Sequence, residues 1–555
     1  MSTTALDADL ATLAASKQRW IAVSVADRIA MLHAVKDNLL GVAQAWAEAA
    51  ACAKGLDPAS PAAGEEWFAG PYAVMVWCNA MLHTLAHVAG KQHLRGLRLR
   101  DVPGGRIAAR VMPGSIWDRV LFNGMTVDVW MQPGVDRATI AATGAAGYDP
   151  AIPRIGRVAL VLGAGNVAAI APLDCLDKLF VENQVVLLKM NPVNAYLAEF
   201  LKAALAPLIA LGFLRIVEGD AAVGQYLCTH PLVETIHITG SGAAHDAIVW
   251  GADAEGAANK LAGTPKNLRP ITSELGGVSP TIVVPGPWSA ADLAYHAELV
   301  ASQKLNNAGF NCIACQVLVL SAPWPQRDDF LQAVRAALAR STPRPLYYPG
   351  AATRLAEFQH GLGQDAKAPE TTSQCPILPF HAGDNPIAEQ YEVFAPALGT
   401  TELPDGDPAT FLRAAIAYAN ENLAGTLGAN ILIHPKTMKQ IGRGNFEALI
   451  ADLRYGTIAI NSWTGLGFGT PQASWGAFPG HTLADVQSGI GVVHNTYLFD
   501  RPERTVLETP FRAPMRPPWF IFHRRAQILG RLMTRFQYRP SLGQLPRIMW
   551  NAMRG

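Results

Sequence analysis

The sequence predicts an α/β protein with two doubly wound parallel-sheet domains and a small β element, and three observations lead there. The first is length: 555 residues exceed what a single hydrophobic core usually holds. The second is a change of pattern at Gly156, after which short β-rich runs alternate with helical stretches. The third is a further set of such runs after Pro280, enough for a second sheet.

Taken in order, residues up to about 100 read as mostly helical, with apolar spacing such as that of Ile29, Leu32 and Val35 and a break at Asp57-Pro58-Ala59-Ser60-Pro61. Strands are expected at Val158 to Leu162, Val185 to Leu188, Leu214 to Val217 and Thr235 to Ile238, with helices around Leu173 to Phe180 and Tyr196 to Leu211. The second region takes Thr281 to Val284, Gln316 to Leu320, Asn430 to Ile433 and Thr457 to Ile460 as strands. Thr342 to Gly350 and Pro404 to Pro408, rich in Pro and Gly, read as surface connectors.

Composition excludes several classes. The longest apolar candidate, Val158 to Leu173, is broken by two glycines, Asn166 and Pro172, so a membrane-spanning helix of about 18 residues is not expected. Met1 to Leu10 carries acids and lacks a basic-then-apolar leader, which makes a cytoplasmic protein the expectation. Seven cysteines spread over the chain argue for reduced thiols. Cys312 and Cys315 have CxxC spacing, but nothing completes a zinc set, so no metal is expected.

Charge is distributed unevenly. Residues 501–555 hold eleven arginines against Glu503 and Glu508, a charge of +9, which leaves −8 on residues 1–500 of a chain whose total is +1.

Three motifs carry chemistry. Glu274-Leu275-Gly276-Gly277 and Asn307-Ala308-Gly309-Phe310-Asn311-Cys312 offer a carboxylate and a thiol, the pair needed to form and hydrolyse a thioester. Gly163-Ala164-Gly165-Asn166-Val167-Ala168 follows a strand and matches a dinucleotide fingerprint, yet the next strand ends in Lys189 where an acid is expected.

Together with Thr239-Gly240-Ser241, Glu392-Val393-Phe394-Ala395-Pro396 and Ile460-Asn461, these pieces resemble the aldehyde dehydrogenase superfamily in order and spacing, over most of residues 15 to 500. The resemblance implies Cys312 as nucleophile, Glu274 as general base and Asn166 as a side-chain donor to the oxyanion. It implies Lys189, Gly240, Ser241 and Glu392 as contacts of NAD or NADP. Residues 1–126 and 154–276 would form the cofactor-binding domain, 127–153 an oligomerisation element, 277–500 the catalytic domain and 501–555 a basic C-terminal extension. Departures accompany the matches. Pro192 stands where many NAD-using members have a Glu, which favours NADP; Phe310 replaces a common Gln, and an insertion lies around Gly251 to Pro270.

The expected activity is oxidation of an aldehyde, a long-chain one included, to a carboxylic acid with NAD(P)+. Two alternatives stay open at this level: an NADPH-dependent acyl reductase that makes a fatty aldehyde, and a non-catalytic relative at a membrane surface. The extension mixes Trp519, Phe520, Phe522 and Trp550 with arginines. It suits an interfacial membrane contact, or packing on a neighbouring subunit or on the chain's own acidic body. A homo-oligomer is expected, and nucleic acid is not, because no recognised module accompanies the charge.

Overall fold

The computed structural model describes residues 3–122, 124–364 and 369–555. Residues 1, 2 and 123 of the expected cofactor domain and 365–368 of the expected catalytic domain lie outside it. The chain forms two main sheets, both covered by helices.

The first sheet has six strands in the order Gly489–Ile490, Ile271–Leu275, Thr235–Gly240, Val158–Leu162, Val185–Lys189 and Leu214–Val217. All pairings are parallel except the first. Its inner strands, such as Val-Ala-Leu-Val-Leu, are buried on both faces, which is why they read as unbroken apolar runs. Helices Thr3–Ala22, Val25–Ala53 and Ala73–Ala86 pack Leu10, Trp20, Leu39 and Trp77 into the same core. Ser24 caps the second of these by accepting from the Asp27 N–H, and the helix ends before the break anticipated at Asp57 to Pro61.

The second sheet has ten strands. In order they are Arg98–Val102, Arg106–Met112, Thr126–Met131, Pro502–Glu508, Thr457–Ile460, Gly428–Leu432, Ser279–Val283, Cys315–Ser321, Leu398–Leu403 and Ile377–Pro379. From Pro502–Glu508 onward the pairing is parallel; the first three strands continue it in antiparallel fashion.

One boundary lies differently in the structure. The extension does not begin at 501: Pro502–Glu508 is an interior strand, with Thr505 paired to both Thr457 and Val129. Its charges are satisfied inside, Glu503 by Arg106 at 2.8 Å and Arg504 by the carbonyls of Ile450 and Leu453. The early part of the expected oligomerisation element, Thr126–Met131, is likewise paired on both sides within the chain. Arg98–Val102 and Ile377–Pro379 are the edge strands.

The short strand Gly489–Ile490 crosses from the catalytic segment to the first sheet. There Gly489 is opposite Glu274, and Thr239 is opposite Glu274 on the other side. A residue held between two partner strands has little backbone freedom, which matters for what Glu274 does.

Candidate active site

The loop that carries Cys312 follows helix Ala290–Leu305, whose start is fixed by a capping box between Ser289 and Asp292. After it, Asn307, Ala308 and Gly309 adopt φ of 52°, 54° and 85°. Left-handed backbone costs a non-glycine residue roughly 1 kcal/mol, so this turn needs external support. Asn307 supplies the anchor. Its side-chain N–H groups donate to the carbonyls of Asn166 and Phe310, each at 3.0 Å. Its Oδ1 accepts from Lys54 Nζ and from Tyr347 Oη, each at 2.9 Å. Its backbone N–H donates to Glu65 at 2.7 Å. Lys54 in turn pairs with Glu66 at 2.9 Å and Arg344 with Glu65 at 2.7 Å; Lys54, Glu66 and Arg344 are buried and Glu65 is nearly so.

Cys312, at the end of this loop, lies against Glu274 with Sγ 3.5 Å from Oε1. Burial first, then the nearby charge of Asp174, pushes the Glu274 carboxyl up to about 7. Burial, followed by the charges of Glu274 and Glu392, holds the Cys312 thiol well above its ordinary value. The pair therefore rests as a protonated thiol beside a carboxyl poised near neutrality, an arrangement suited to moving one proton between them.

Asn166 sits on the turn after Val158–Leu162, where Gly165 is required: a Cβ there would come within 2.7 Å of the Asn191 side chain. One N–H of its amide donates to the Phe310 carbonyl at 2.9 Å, and its own carbonyl accepts from Tyr347 Oη at 3.0 Å. Asn166, Glu274 and Cys312, far apart in sequence, thus line one cavity of about 560 Å³. Trp463, Phe468 and Trp475 give it apolar walls.

Three of the four expected cofactor contacts lie at or just past strand ends, and Glu392 lies between helix Pro386–Gln390 and strand Leu398–Leu403. Lys189 ends its strand, and burial lowers its ammonium while Asp220 opposes that shift. Gly240 ends the next strand, and Ser241 caps helix Gly242–Val249 by accepting from the Ala244 N–H. Glu392 places its carboxyl against Gly276, where any Cβ would come within 2.0 Å of it. Burial pushes Glu392 up to about 8, with the Gly277 N–H the largest opposing influence.

Some residues of the site carried no assignment in the sequence reading. Asp174, on helix Ile170–Leu176, accepts from Thr239 Oγ1 at 2.9 Å and raises Glu274. Asn307 flanks the cysteine motif, but its role depends on Lys54, Glu65 and Tyr347, which no local pattern connects. Cys315, the rival thiol, is buried at the start of Cys315–Ser321, with its Sγ directed to the Val317 carbonyl. Among the described residues no group of His, Cys, Asp and Glu is arranged to hold a metal.

A sequence model of the Aldehyde dehydrogenase family matches residues 176–345, the segment that carries Glu274 and Cys312. A probable coniferyl aldehyde dehydrogenase of Caulobacter vibrioides is 27% identical over 244 residues, 43% of this chain and 46% of that protein. A geranial dehydrogenase of Castellaniella defragrans is 35% identical over 129 residues, 23% of each chain. These alignments span less than half the length of either relative. The fold matches an indole-3-acetaldehyde dehydrogenase solved with NAD+, at a TM-score of 0.58 and 17% identity over 90% of this chain and 88% of that one. It also matches a mutant of aldehyde dehydrogenase C from Pseudomonas syringae solved with NAD+ and octanal, at 0.58 and 17% over 93% and 90%. The family's sequence pattern thus lies over the segment that carries Glu274 and Cys312, and the fold of these aldehyde dehydrogenases extends over nearly the whole length.

Proposed function

We propose that this chain oxidises an apolar aldehyde to the carboxylic acid, with NAD or NADP as hydride acceptor, through a thiohemiacetal and then a thioester on Cys312. The observation that carries the reading is the 3.5 Å contact of Cys312 with Glu274 inside a largely apolar cavity. The relatives named for coniferyl aldehyde and geranial, and the octanal-bound structure, support an aldehyde larger than acetaldehyde.

Three features fit a nicotinamide dinucleotide. Glu392 Oε1 is buried with no hydrogen-bond partner among the described residues, and a ribose hydroxyl would satisfy it. Lys189 offers a cation at its strand end, suited to a ribose or phosphate. Helix Gly242–Val249 presents its N-terminus at exposed Ser241, where backbone N–H groups favour phosphate. Pro192 supplies no carboxylate to oppose a 2′-phosphate, which favours NADP. When bound, the cofactor accepts hydride from the carbon attached to the Cys312 sulfur.

Glu274 takes the thiol proton, and the Cys312 sulfur bonds to the carbonyl carbon. The oxygen, now negative, lies within reach of the second N–H of the Asn166 amide and of the Cys312 backbone N–H. After hydride departure Glu274 gives the thiol's proton up to solvent and then takes one from a water that attacks the thioester carbon; the C–S bond breaks, the proton on Glu274 returns to the sulfur, and acid is released with the thiol restored. A base fixed beside the thioester favours hydrolysis over transfer to another thiol. That argues against the acyl reductase alternative.

The test is cofactor reduction by purified protein with a panel of short, aromatic and long-chain aldehydes and no coenzyme A. Acid should form, and Cys312→Ser should abolish it. Reduction of an acyl thioester by NADPH with no aldehyde oxidation would install the reductase instead; activity in neither direction would leave a non-catalytic protein. A peripheral lipid contact is part of the same reading. Leu542, Trp550 and Met553 are exposed beside exposed Arg539, Arg547 and Arg554. Co-sedimentation with anionic but not zwitterionic vesicles is expected.

A further inference from the structure

One wall of the cavity that holds Cys312 is built by the chain's last residues, beyond Glu508. Three successive pieces contribute. The first is Ala513 to Trp519, in which Pro514, Pro517 and Pro518 hold the backbone extended and remove donors. It is clamped to helix Ala290–Leu305 by Arg516 on Glu298 at 3.1 Å, Arg512 on Asp292 at 3.4 Å, and the Ile521 N–H on Ser302 Oγ at 3.2 Å. Trp519 lies on Trp463, ring centroids 5.5 Å apart, and both pack with Cys312 in one apolar cluster.

The second piece is helix Ala526–Tyr538. Gly64 and Gly530 let it approach the N-terminal helices closely: a Cβ on Gly64 would come within 2.4 Å of Ala526, and one on Gly530 within 2.4 Å of Trp67. Asn79 Nδ2 donates to the Gln537 carbonyl at 2.8 Å and pins its far end. Leu529 and Met533 then face the cavity. The third piece is helix Leu545–Met553, which adds Ile548 and Met549. Apart from the Arg516 and Gln537 side chains, the wall so made is apolar, and its methionines are adaptable in shape.

We propose that residues 509–555 are the chain-length filter of this site, forming in the same polypeptide the outer wall of the aldehyde channel and selecting long alkyl aldehydes. The proposal rests on the aldehyde-oxidation reading above and names its substrate class. A cavity of about 560 Å³ is in the range that encloses a drug-sized ligand and is far from filled by a short aldehyde. Burying one methylene is worth about fourfold in an equilibrium or rate ratio, so kcat/KM should climb roughly that much per added carbon until the channel is full.

Deleting the extension risks unfolding, because Leu529, Leu532 and Phe536 cover apolar surface. The test therefore uses full-length variants that fill the channel, Met533→Trp and Met549→Trp, checked for native secondary structure. The readout is the ratio of kcat/KM for dodecanal to that for propanal. The wild type should prefer dodecanal by at least about a hundredfold, and each tryptophan should cut the ratio by about tenfold or more through loss of long-chain binding. Wild-type preference for propanal, or an unchanged ratio in both folded variants, would overturn the filter while leaving aldehyde oxidation intact. Failure of the parent reading looks different: no aldehyde of any length is oxidised, and the filter falls with it.

Discussion

Glu274→Gln separates what burial does to the fold from what the carboxylate does in the reaction. Burial and Asp174 raise the Glu274 carboxyl from 4.5 to about 7. A shift of this size is about 3 kcal/mol of disfavour for the ionised form in the folded protein, at 1.36 kcal/mol for each pH unit. The sign is set by proton counting. Between about pH 4.5 and 7 the folded state binds more protons at this site than the unfolded one, so stability is full below 4.5 and is lost as pH rises through 7. Glutamine has nothing to ionise. Relative to wild type, the variant should therefore gain about 3 kcal/mol in unfolding free energy between about pH 4 and pH 8. Urea unfolding at a series of pH values, followed by tryptophan fluorescence, measures the difference. A wild-type minus variant difference that is flat with pH, or that grows in favour of wild type above neutrality, would refute the account of a desolvated, poised base. In turnover the same carboxyl must be ionised, so the hydrolytic rate of wild type should rise tenfold per pH unit below about 7 and level off above it.

Other consequences follow from the same geometry. Asn166→Ala removes the proposed oxyanion donor and should lower kcat by about 10²- to 10³-fold with little change in aldehyde KM, measured in steady-state assays. Lys54→Met leaves Glu66 buried and unpaired, and frees Asn307 from one of its partners. Loss of one member of a buried pair costs about 3 to 5 kcal/mol, to be read from the urea midpoint. Cys312 should react slowly with iodoacetamide in the free protein at neutral pH and much faster in alkali, because its thiol is held well above the ordinary value; mass mapping of the labelled peptide checks this.

What the amino-acid order reveals depends on whether a residue's environment is local. Strands such as Val158–Leu162 and Val185–Lys189 were legible because both their faces are buried, so burial imprints an unbroken apolar run. Arg98–Val102 and Arg106–Met112 were not, since Arg100 and Arg110 look like surface residues until Asp128, on a strand further along, neutralises both. Pro502–Glu508 hid for the same reason: Arg504 and Glu503 are buried against groups contributed by distant parts of the fold. In the site, Cys312, Glu274 and Asn166 were recognisable from motif and order, and the fold brings them to one cavity. The support of Asn307 by Lys54, Glu65 and Tyr347 joins residues up to 253 positions apart, and no pattern in a single chain announces it. The extension shows the limit most clearly. Its mixture of aromatics and arginines suited either a membrane contact or packing on the chain's own acidic body; Leu529, Met533 and Phe536 are buried and its first arginines pair with Asp292 and Glu298 of its own chain, while Leu542, Trp550 and Met553 stay exposed.

The central claim is covalent: Cys312 carries the acyl group, and Glu274 releases it. Glu274→Gln, mixed with dodecanal and excess NADP+ in alkali, where the Cys312 thiol can ionise without a neighbouring base, and quenched in acid, should show a burst of one reduced cofactor per chain and little turnover after it. Intact and peptide mass spectrometry should find the dodecanoyl group on the peptide containing Cys312. A variant that turns over at the wild-type rate, or a burst with no acyl mass on that peptide, would contradict the account.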